Sequence, residues 1–585
     1  MKLQGIAASP GIGIGPVYCL RHEEYSVTEA SVREDEVEAE IGRFHAALEG
    51  SRLELSRLRD SIAAEMGESE AGIYEAHLLM VDDPELVRSV EQGIRQERRN
   101  AAFVFRRYMS MMSAHFDRIE DEYLRERRAD IVDIERRILR HLFQGRAPSL
   151  ADLPQPSIVV THDIGPSEVA MLDPERVLGL VAEVGGRTSH SAIVARGRGI
   201  PAVVSVTDAL EQVKPGDLGA VDGYAGHLEV NPDAGTAAAY HRRQADMWHE
   251  AEALGHLREE PARTLDGREI EIGANIELPS DVERALRSGA TGIGLFRTEF
   301  FYLGRYQLPT EAEQYEAYRM VAERMSPHPV IFRTMDLGGD KVASYLGATH
   351  ETNPFLGWRG IRFALQHPDV FETQIRAIYR ASAHGRVRMM FPMVSSLGEL
   401  ERTLEICAKA RAALTARGEP FDPRVEVGVM VETPSAVWIA DILMQHAEFL
   451  SIGTNDLVQY TLAMDRDNER LANLYEPLEP SVLRSIHHAV KAAHAAGRWA
   501  GICGEMAGDP RHAVLLVGLG VDEMSMSFFD LPRVKAAIRS VHHDHAREIA
   551  TEVLAQPSAK AVKRILREQV DPLLPSYLLA KRSMV

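Results

Sequence analysis

From about residue 265 onward the chain repeats one unit: a short apolar run, a loop carrying a polar residue, and a segment long enough for a crossover helix. The runs are EIEIGANI, GIGLF, PVIFRTM, VRMMFPMV, VEVGVMVET, FLSIGT, AGICGE and DEMSMS. Apolar runs this short suit strands buried on both faces, and strands separated by crossover helices pair in parallel. Eight such units in ~280 residues match the size and order of a (β/α)8 TIM barrel. That architecture constrains function directly, because catalytic side chains in such barrels come from the carboxyl ends of the strands.

The polar residues at those ends are Arg297, Arg333, Glu432, Asn455, Asp456, Arg466 and Cys503. One arginine alone is most simply a surface ion pair; several at the strand ends of one barrel point to a shared site. Guanidiniums offer paired donors to phosphate and carboxylate, which suits a small substrate with two or three negative charges. Glu432 and Asp456 are hard oxygen ligands, with Asn455 as a neutral polar neighbour, and they suit Mg²⁺ shared with a substrate phosphate better than zinc. Cys503, between Gly501 and Gly504, is either an apolar filler or an acid that delivers a proton to carbon.

The first half of the chain reads differently. Residues 1–20 and 148–230 carry short strand-like runs and together form an α/β domain. Between them, residues 21–147 interleave charges with Leu, Ile, Ala and Phe at helical spacing and contain one proline, Pro84, which predicts an inserted domain of four or five antiparallel helices. Residues 61–90 hold seven acids (Glu65, Glu68, Glu70, Glu75, Asp82, Asp83 and Glu85) against Arg88. That stretch is either a solvated face or a dock for a basic partner. Residues 231–262 read as a helical linker closed by Pro261, and 263–585 hold the barrel.

Within the α/β domain the stretch GGRTSHSAIVARGRGIP, Gly185 to Pro201, places His190 behind Thr188 and Ser189, both helix-capping types, and ahead of an apolar helical run. The amino end of a helix favours negative charge, and a phosphorylated imidazole would carry it. A lone histidine at a helix start more often caps or packs, so its context decides.

Composition narrows the classes. The 585 residues suffice for three or four domains, and 45% hydrophobic with 26% charged residues is a globular balance. A net charge of −20 disfavours nucleic acid and allows a basic protein partner. No run is long enough to span a membrane and no apolar leader follows Met1, so a cytoplasmic protein is expected. Three scattered cysteines, Cys19, Cys407 and Cys503, give neither a disulfide framework nor a zinc site.

Taken together, the motifs resemble those of phosphoenolpyruvate-utilising enzymes. GGRTSHSAIVARGRGIPAVV is similar to their phosphohistidine signature, and GIGLFRTEF, FRTMDLGGDK, NPFLGWRGIR, VETPSA, SIGTNDLVQYTLAMDR and GICGEMAGD are similar to their barrel. The helical insertion, with EAHLLMVDDPEL and DEYLRERRADIVDI, resembles the carrier-binding domain of the Enzyme I family, the phosphoenolpyruvate–protein phosphotransferases of the bacterial phosphotransferase system.

The resemblance implies that His190 is phosphorylated, and that Arg297, Arg333, Asn455, Asp456 and Arg466 hold phosphoenolpyruvate. It further implies that Glu432 and Asp456 hold Mg²⁺ and that Cys503 donates a proton. The implied activity is transfer of a phosphoryl group to His190 and on to a histidine of a small HPr-like phosphocarrier, with release of pyruvate, as the first step of sugar uptake. A homodimer formed through the barrel is implied as well. One departure is Gly165 in DIGPSE, where the family often has a threonine that holds the active histidine in its resting pose. The alternatives are a pyruvate phosphate dikinase or phosphoenolpyruvate synthase, which would need a further ATP-binding domain of ~200 residues, and a regulatory branch of the same system.

Overall fold

The computed structural model describes residues 1–20, 27–66, 68–116, 122–143, 153, 155–164, 173, 175–185, 195, 199–302, 308–338, 353–465, 471 and 474–579. Two compact units, Met1–Trp248 and His249–Ala580, divide within the helix Ala234–Gly255. The architecture is multidomain α/β with a helical insertion and a closed barrel.

In the first unit, β1 (Lys2–Gln4), β2 (Ile6–Ser9), β3 (Ile12–Leu20), β4 (Ser157–Thr161), β5 (Val177–Ala182), β6 (Ala202–Val204), β7 (Leu218–Asp222) and β8 (His227–Val230) form one sheet of order β1-β8-β7-β3-β4-β5-β6-β2. Strands β3 to β6 run parallel, and the outer pairs are antiparallel. Side chains alternate between two apolar layers: Ile158 and Val160 face one, Val159 the other, as the period of two along a strand requires. Such burial on both faces explains why these runs read as continuously apolar. The start of the helix Ala234–Gly255 is fastened to this sheet. Its Tyr240 is fully buried beside His227, and its Arg243 donates to the buried Asp222 at 2.8 Å.

Five helices intervene between β3 and β4: α1 (Val37–Met66), α2 (Glu68–Val81), α3 (Pro84–Glu97), α4 (Ala101–Phe116) and α5 (Glu122–Phe143). Phe44, Leu55, Tyr74, Val90, Phe105 and Ile138 form their shared core. The single proline of this region begins a helix instead of breaking one, because the N–H it lacks has no partner at the first helical position. Asp83 precedes it as the cap, its carboxylate accepting the Glu85 N–H at 2.8 Å. Glu40 serves α4 in the same way, accepting the Ala101 N–H at 2.8 Å. Of the acidic stretch, Glu75, Asp82 and Glu85 are exposed.

In the second unit β9 (Glu271–Ile276), β10 (Ile293–Arg297), β11 (Val330–Arg333), β12 (Val387–Phe391), β13 (Glu426–Val431), β14 (Phe449–Ile452), β15 (Trp499–Ile502) and β16 (Glu523–Met526) form a closed barrel, parallel throughout, that β16 completes against β9. These are the eight runs read from the sequence. Alternation again sorts the side chains: Leu295, Ile331, Met390, Met430 and Phe449 fill the interior with Cys503, while Phe296, Phe332, Met389 and Phe391 pack outward in the larger core shared with the helices. Among the described residues no helix is long and apolar enough to cross a membrane.

The cap at Asp83 yields a test. Removing a cap of this type costs about 1 kcal/mol, so Asp83→Ala is expected to lower the stability of the helical region by that amount in urea unfolding followed by circular dichroism. An unchanged midpoint would mean that the cap contributes nothing.

Candidate active site

β11 ends on Arg333, which is buried. Its Nη2 donates to Glu299 Oε1 at 2.8 Å, and its Nη1 lies 3.2 Å from Asp336 Oδ2. Glu299 comes from the turn after β10, and its Oε1 also accepts the Asp336 N–H at 2.9 Å. Asp336 then receives Arg359 on both oxygens: Nε donates to Oδ1 at 3.2 Å and Nη2 to Oδ2 at 2.7 Å. Arg359 Nη1 completes the chain by donating to Asp456 Oδ1 at 3.0 Å and to the Tyr460 hydroxyl at 3.3 Å. Asp456 lies in the first turn of the helix Thr454–Leu462, which follows β14.

Glu432, the first residue after β13, is buried beside this network. Met393, held at φ +59°, turns its N–H onto Glu432 Oε1 at 2.6 Å. Glu432 Oε2 is buried without a hydrogen-bond partner among the described residues. Burial, and then the charges of Asp456 and Asp336, raise the Glu432 carboxyl well above the ordinary carboxylate range, against the pull of Arg359 and Arg333. Two guanidiniums, Arg333 and Arg359, thus face four carboxylates, Glu299, Asp336, Glu432 and Asp456. Ionised, the cluster has an excess of negative charge, and an unpartnered carboxylate oxygen lies within it. Hard oxygen donors with unbalanced negative charge fit a divalent cation.

Cys503 follows β15 and lies in the barrel interior against Met430, Leu295 and Ile331. Burial pushes its thiol up to about 12, so it stays protonated. Met430 of the same interior layer has its sulfur 3.9 Å from Arg333 Nη1, which places Cys503 close to the cluster. Asn455 ties the loop after β14 to the one after β15, its Oδ1 accepting the Glu505 N–H at 3.1 Å.

The structure therefore brings Arg333, Glu432, Asp456, Asn455 and Cys503 to one end of the barrel. Arg297 closes β10 at the rim, where its half-exposed side chain donates to Glu277 Oε1 at 2.7 Å, apart from the buried network. Arg466, His190 and Gly165, with the expected caps Thr188 and Ser189, lie outside the described residues. The stretch that carries His190 is framed on both sides: it leaves β5 through Gly185 at φ +115° and rejoins β6 through Gly199 at φ +69°. Ser205 Oγ donates to the Gly185 carbonyl at 2.6 Å and fixes the exit.

Sequence reasoning missed Glu299, Asp336 and Arg359. None ends a strand, and strand ends were the criterion. The signal was present in DLGGDK and GWRGIR, where a charged residue stands close to glycine in a loop.

A barrel with this cluster at its carboxyl end belongs with the PEP-binding domain of PEP-utilising enzymes. That family's model matches residues 251–543, and its N-terminal and mobile domains match 4–127 and 153–226. The phosphoenolpyruvate-protein phosphotransferase of Haemophilus influenzae is 40% identical over 566 residues, covering 97% of this chain and 98% of the relative. That of Staphylococcus carnosus is 40% identical over 576 residues, 98% of this chain and 99% of the relative. The Priestia megaterium protein is 41% identical over 561 residues, 96% and 98%. The chain belongs to the family of phosphoenolpyruvate–protein phosphotransferases.

The orphaned oxygen of Glu432 carries a prediction. A buried polar oxygen without a partner is costly, so Glu432→Gln without metal is expected to melt no lower than the wild type, and Mg²⁺ is expected to raise the melting temperature of the wild type alone. Equal stabilisation of both by Mg²⁺ would show that the cation sits elsewhere.

Proposed function

We propose that this enzyme transfers the phosphoryl group of phosphoenolpyruvate to His190 and then to a histidine of a small HPr-like phosphocarrier, releasing pyruvate, as the first step of sugar uptake. The observation that carries this reading is the buried cluster of Arg333, Arg359, Glu432 and Asp456 above a protonated Cys503. Arg333 binds the substrate anion, joined by Arg297 at the rim, Arg466 and Asn455. Arg359, gripped by Asp336 and Asp456, keeps those carboxylates in place. Glu432 and Asp456 would hold Mg²⁺, which supplies neutralisation of phosphate charge when bound.

His190 Nε2 or Nδ1 attacks phosphorus while the bond from phosphorus to the enol oxygen breaks. Positioning and charge neutralisation are the main demands of such a transfer. The enolate then takes the Cys503 proton: a C–H bond forms at carbon 3, and the S–H bond breaks.

Residues 1–20 and 148–230 act as the mobile phosphohistidine domain, and 21–147 dock the carrier. The linker 231–262 lets the phosphohistidine alternate between the barrel and the helical domain, and 263–585 bind phosphoenolpyruvate and dimerise. The site of action is the cytoplasm. Glu75, Asp82 and Glu85 on the exposed side of the helical insertion supply negative charge for a basic carrier.

Labelled phosphoenolpyruvate with Mg²⁺ is expected to label the protein in an acid-labile, alkali-stable form, and His190→Ala to abolish the label. Label persisting in that variant overturns the reading. Phosphorylation of the carrier is expected to slow as salt rises, because exposed charges are screened; a salt-independent rate would remove the electrostatic dock.

A further inference from the structure

Deeper in the barrel lies an acid that the reaction above does not use. Glu523 opens β16 and pairs in register with Gly501 of β15, two residues below Cys503. At ~3.3 Å per residue the two levels are about 7 Å apart along the strand. The Glu523 side chain is buried, and neither carboxylate oxygen has a hydrogen-bond partner among the described residues.

The surrounding strands are cleared for it. A Cβ at Gly273 would lie 2.6 Å from Glu523 Oε1, and a Cβ at Gly294 or Gly501 would also collide with the carboxyl group. Three strands thus carry no side chain where this carboxyl sits, which is more than a packing residue requires. An ionised carboxylate enclosed without partners is strongly disfavoured, so the group keeps its proton. Burial, followed by the charge of Glu271, raises it well above the carboxylate range, and Arg388 only partly offsets this.

Polar groups flank Glu523 on two sides, none of them hydrogen-bonded to it among the described residues. Above it, on the same inward face, Ser525 donates to Asn275 Oδ1 at 2.6 Å, and Asn275 Nδ2 donates to the Cys503 carbonyl at 3.0 Å. The Glu523 carboxyl occupies the space beside Gly501, two residues before Cys503 on the same face of β15. Beside it, Glu271 is its partner in the β16–β9 register, and the Glu271 side chain is 32% exposed. Arg388 joins Glu271 at 3.5 Å and Glu426 at 2.7 Å. A protonated acid therefore lies between the floor of the site and a charged, solvent-reaching group at the amino-terminal mouth.

Each turnover leaves Cys503 as a thiolate in an apolar pocket, and the next enolate cannot be quenched until that thiolate regains a proton. We propose that Glu523 is the proton reservoir for Cys503, returning a proton to the thiolate after each turnover and reloading through Glu271 at the amino-terminal mouth of the barrel. In that step the Glu523 O–H bond breaks and the Cys503 S–H bond forms; the Glu523 carboxylate then takes a proton passed on by Glu271, which regains one from water at the mouth, and nothing is oxidised or reduced. Burial pushes the thiol up to about 12, so the thiolate is a strong base toward a neighbouring acid. Glu523 acts through Cys503 and does not touch the substrate. The inference rests on Cys503 being the donor in the proposed reaction.

The test is rapid mixing of the full chain with phosphoenolpyruvate, Mg²⁺ and excess HPr-like phosphocarrier, with pyruvate followed through the first and later turnovers. Cys503 begins protonated, so Glu523→Gln is expected to release the first equivalent of pyruvate at close to the wild-type rate and then to fall at least tenfold. Glu523→Asp, which keeps an acid at shorter reach, is expected to fall between Gln and wild type, and it is read in the same way if the Gln variant does not fold. Cys503→Ser is expected to lose the first turnover as well. An unchanged steady rate in Glu523→Gln, or an equal loss in its first and later turnovers, overturns the reservoir while a defective Cys503→Ser leaves the donor standing. Wild-type turnover in Cys503→Ser removes the donor itself.

Discussion

The hold of Asp336 and Asp456 on Arg359 is the interaction on which the site depends. Arg359 comes from a loop segment between β11 and β12, yet it reaches across to the helix after β14 and, through Asp336, back to Arg333 at the end of β11. Removing one member of a buried ion pair leaves an uncompensated charge that costs several kcal/mol. Each loop is therefore kept in place by the others, and the barrel supplies the fixed positions from which they start. Among the described residues two buried atoms of the network lack a partner, Arg333 Nε and Glu432 Oε2, and around Glu432 negative charge exceeds positive. Such an arrangement favours the apo protein poorly and the cation-bound one well, which is the asymmetry a metal-dependent site needs.

The barrel was legible in the sequence because each of its strands is short, apolar and separated from the next by a helix-length segment. VRMMFPMV and VEVGVMVET leave little room for another reading, since their inward and outward residues are both buried. Glu432, Asp456 and Cys503 were legible for a related reason: a parallel barrel fixes where strands end, and these residues follow β13, β14 and β15. Arg359 and Asp336 obey no such periodicity. Their positions are set by the path of a loop, and nothing in the local pattern of GWRG tells which carboxylate that loop will approach. Arg297 was legible by its strand end alone, which says nothing of its partner, and its side chain pairs with Glu277 at the rim. Asp83 was read as one charge in an acidic run and is in part a helix cap, because a single residue in such a run can serve the backbone as well as the field.

The interior of the barrel is layered by polarity. The uppermost level is the ion network; below it Leu295, Ile331, Met390, Met430 and Phe449 form an apolar layer with Cys503; below that come Glu523 and the charged mouth of Arg388, Glu271 and Glu426. The apolar layer does two things at once. It buries the thiol, which keeps Cys503 protonated, and it separates Glu432 and Asp456 from the acids at the opposite end.

A layer that excludes water also cuts the thiol off from the usual source of protons, and aromatic rings pack at the lower end as well. Trp499 stacks on Phe449 with ring centroids 4.4 Å apart, and the Arg388 guanidinium lies 4.5 Å from the indole centroid on its own account. Gly428 leaves the space that the Phe449 ring fills. Glu523 is itself buried in this part of the barrel, so in the proposed relay protons travel on side chains. The polar groups inside this barrel weaken its inner core, and stability must come from the continuous outer core where Phe296, Phe332, Phe391 and the surrounding helices pack. That division of labour lets the interior carry unpaired carboxyl groups that a folding core of the same size would not tolerate.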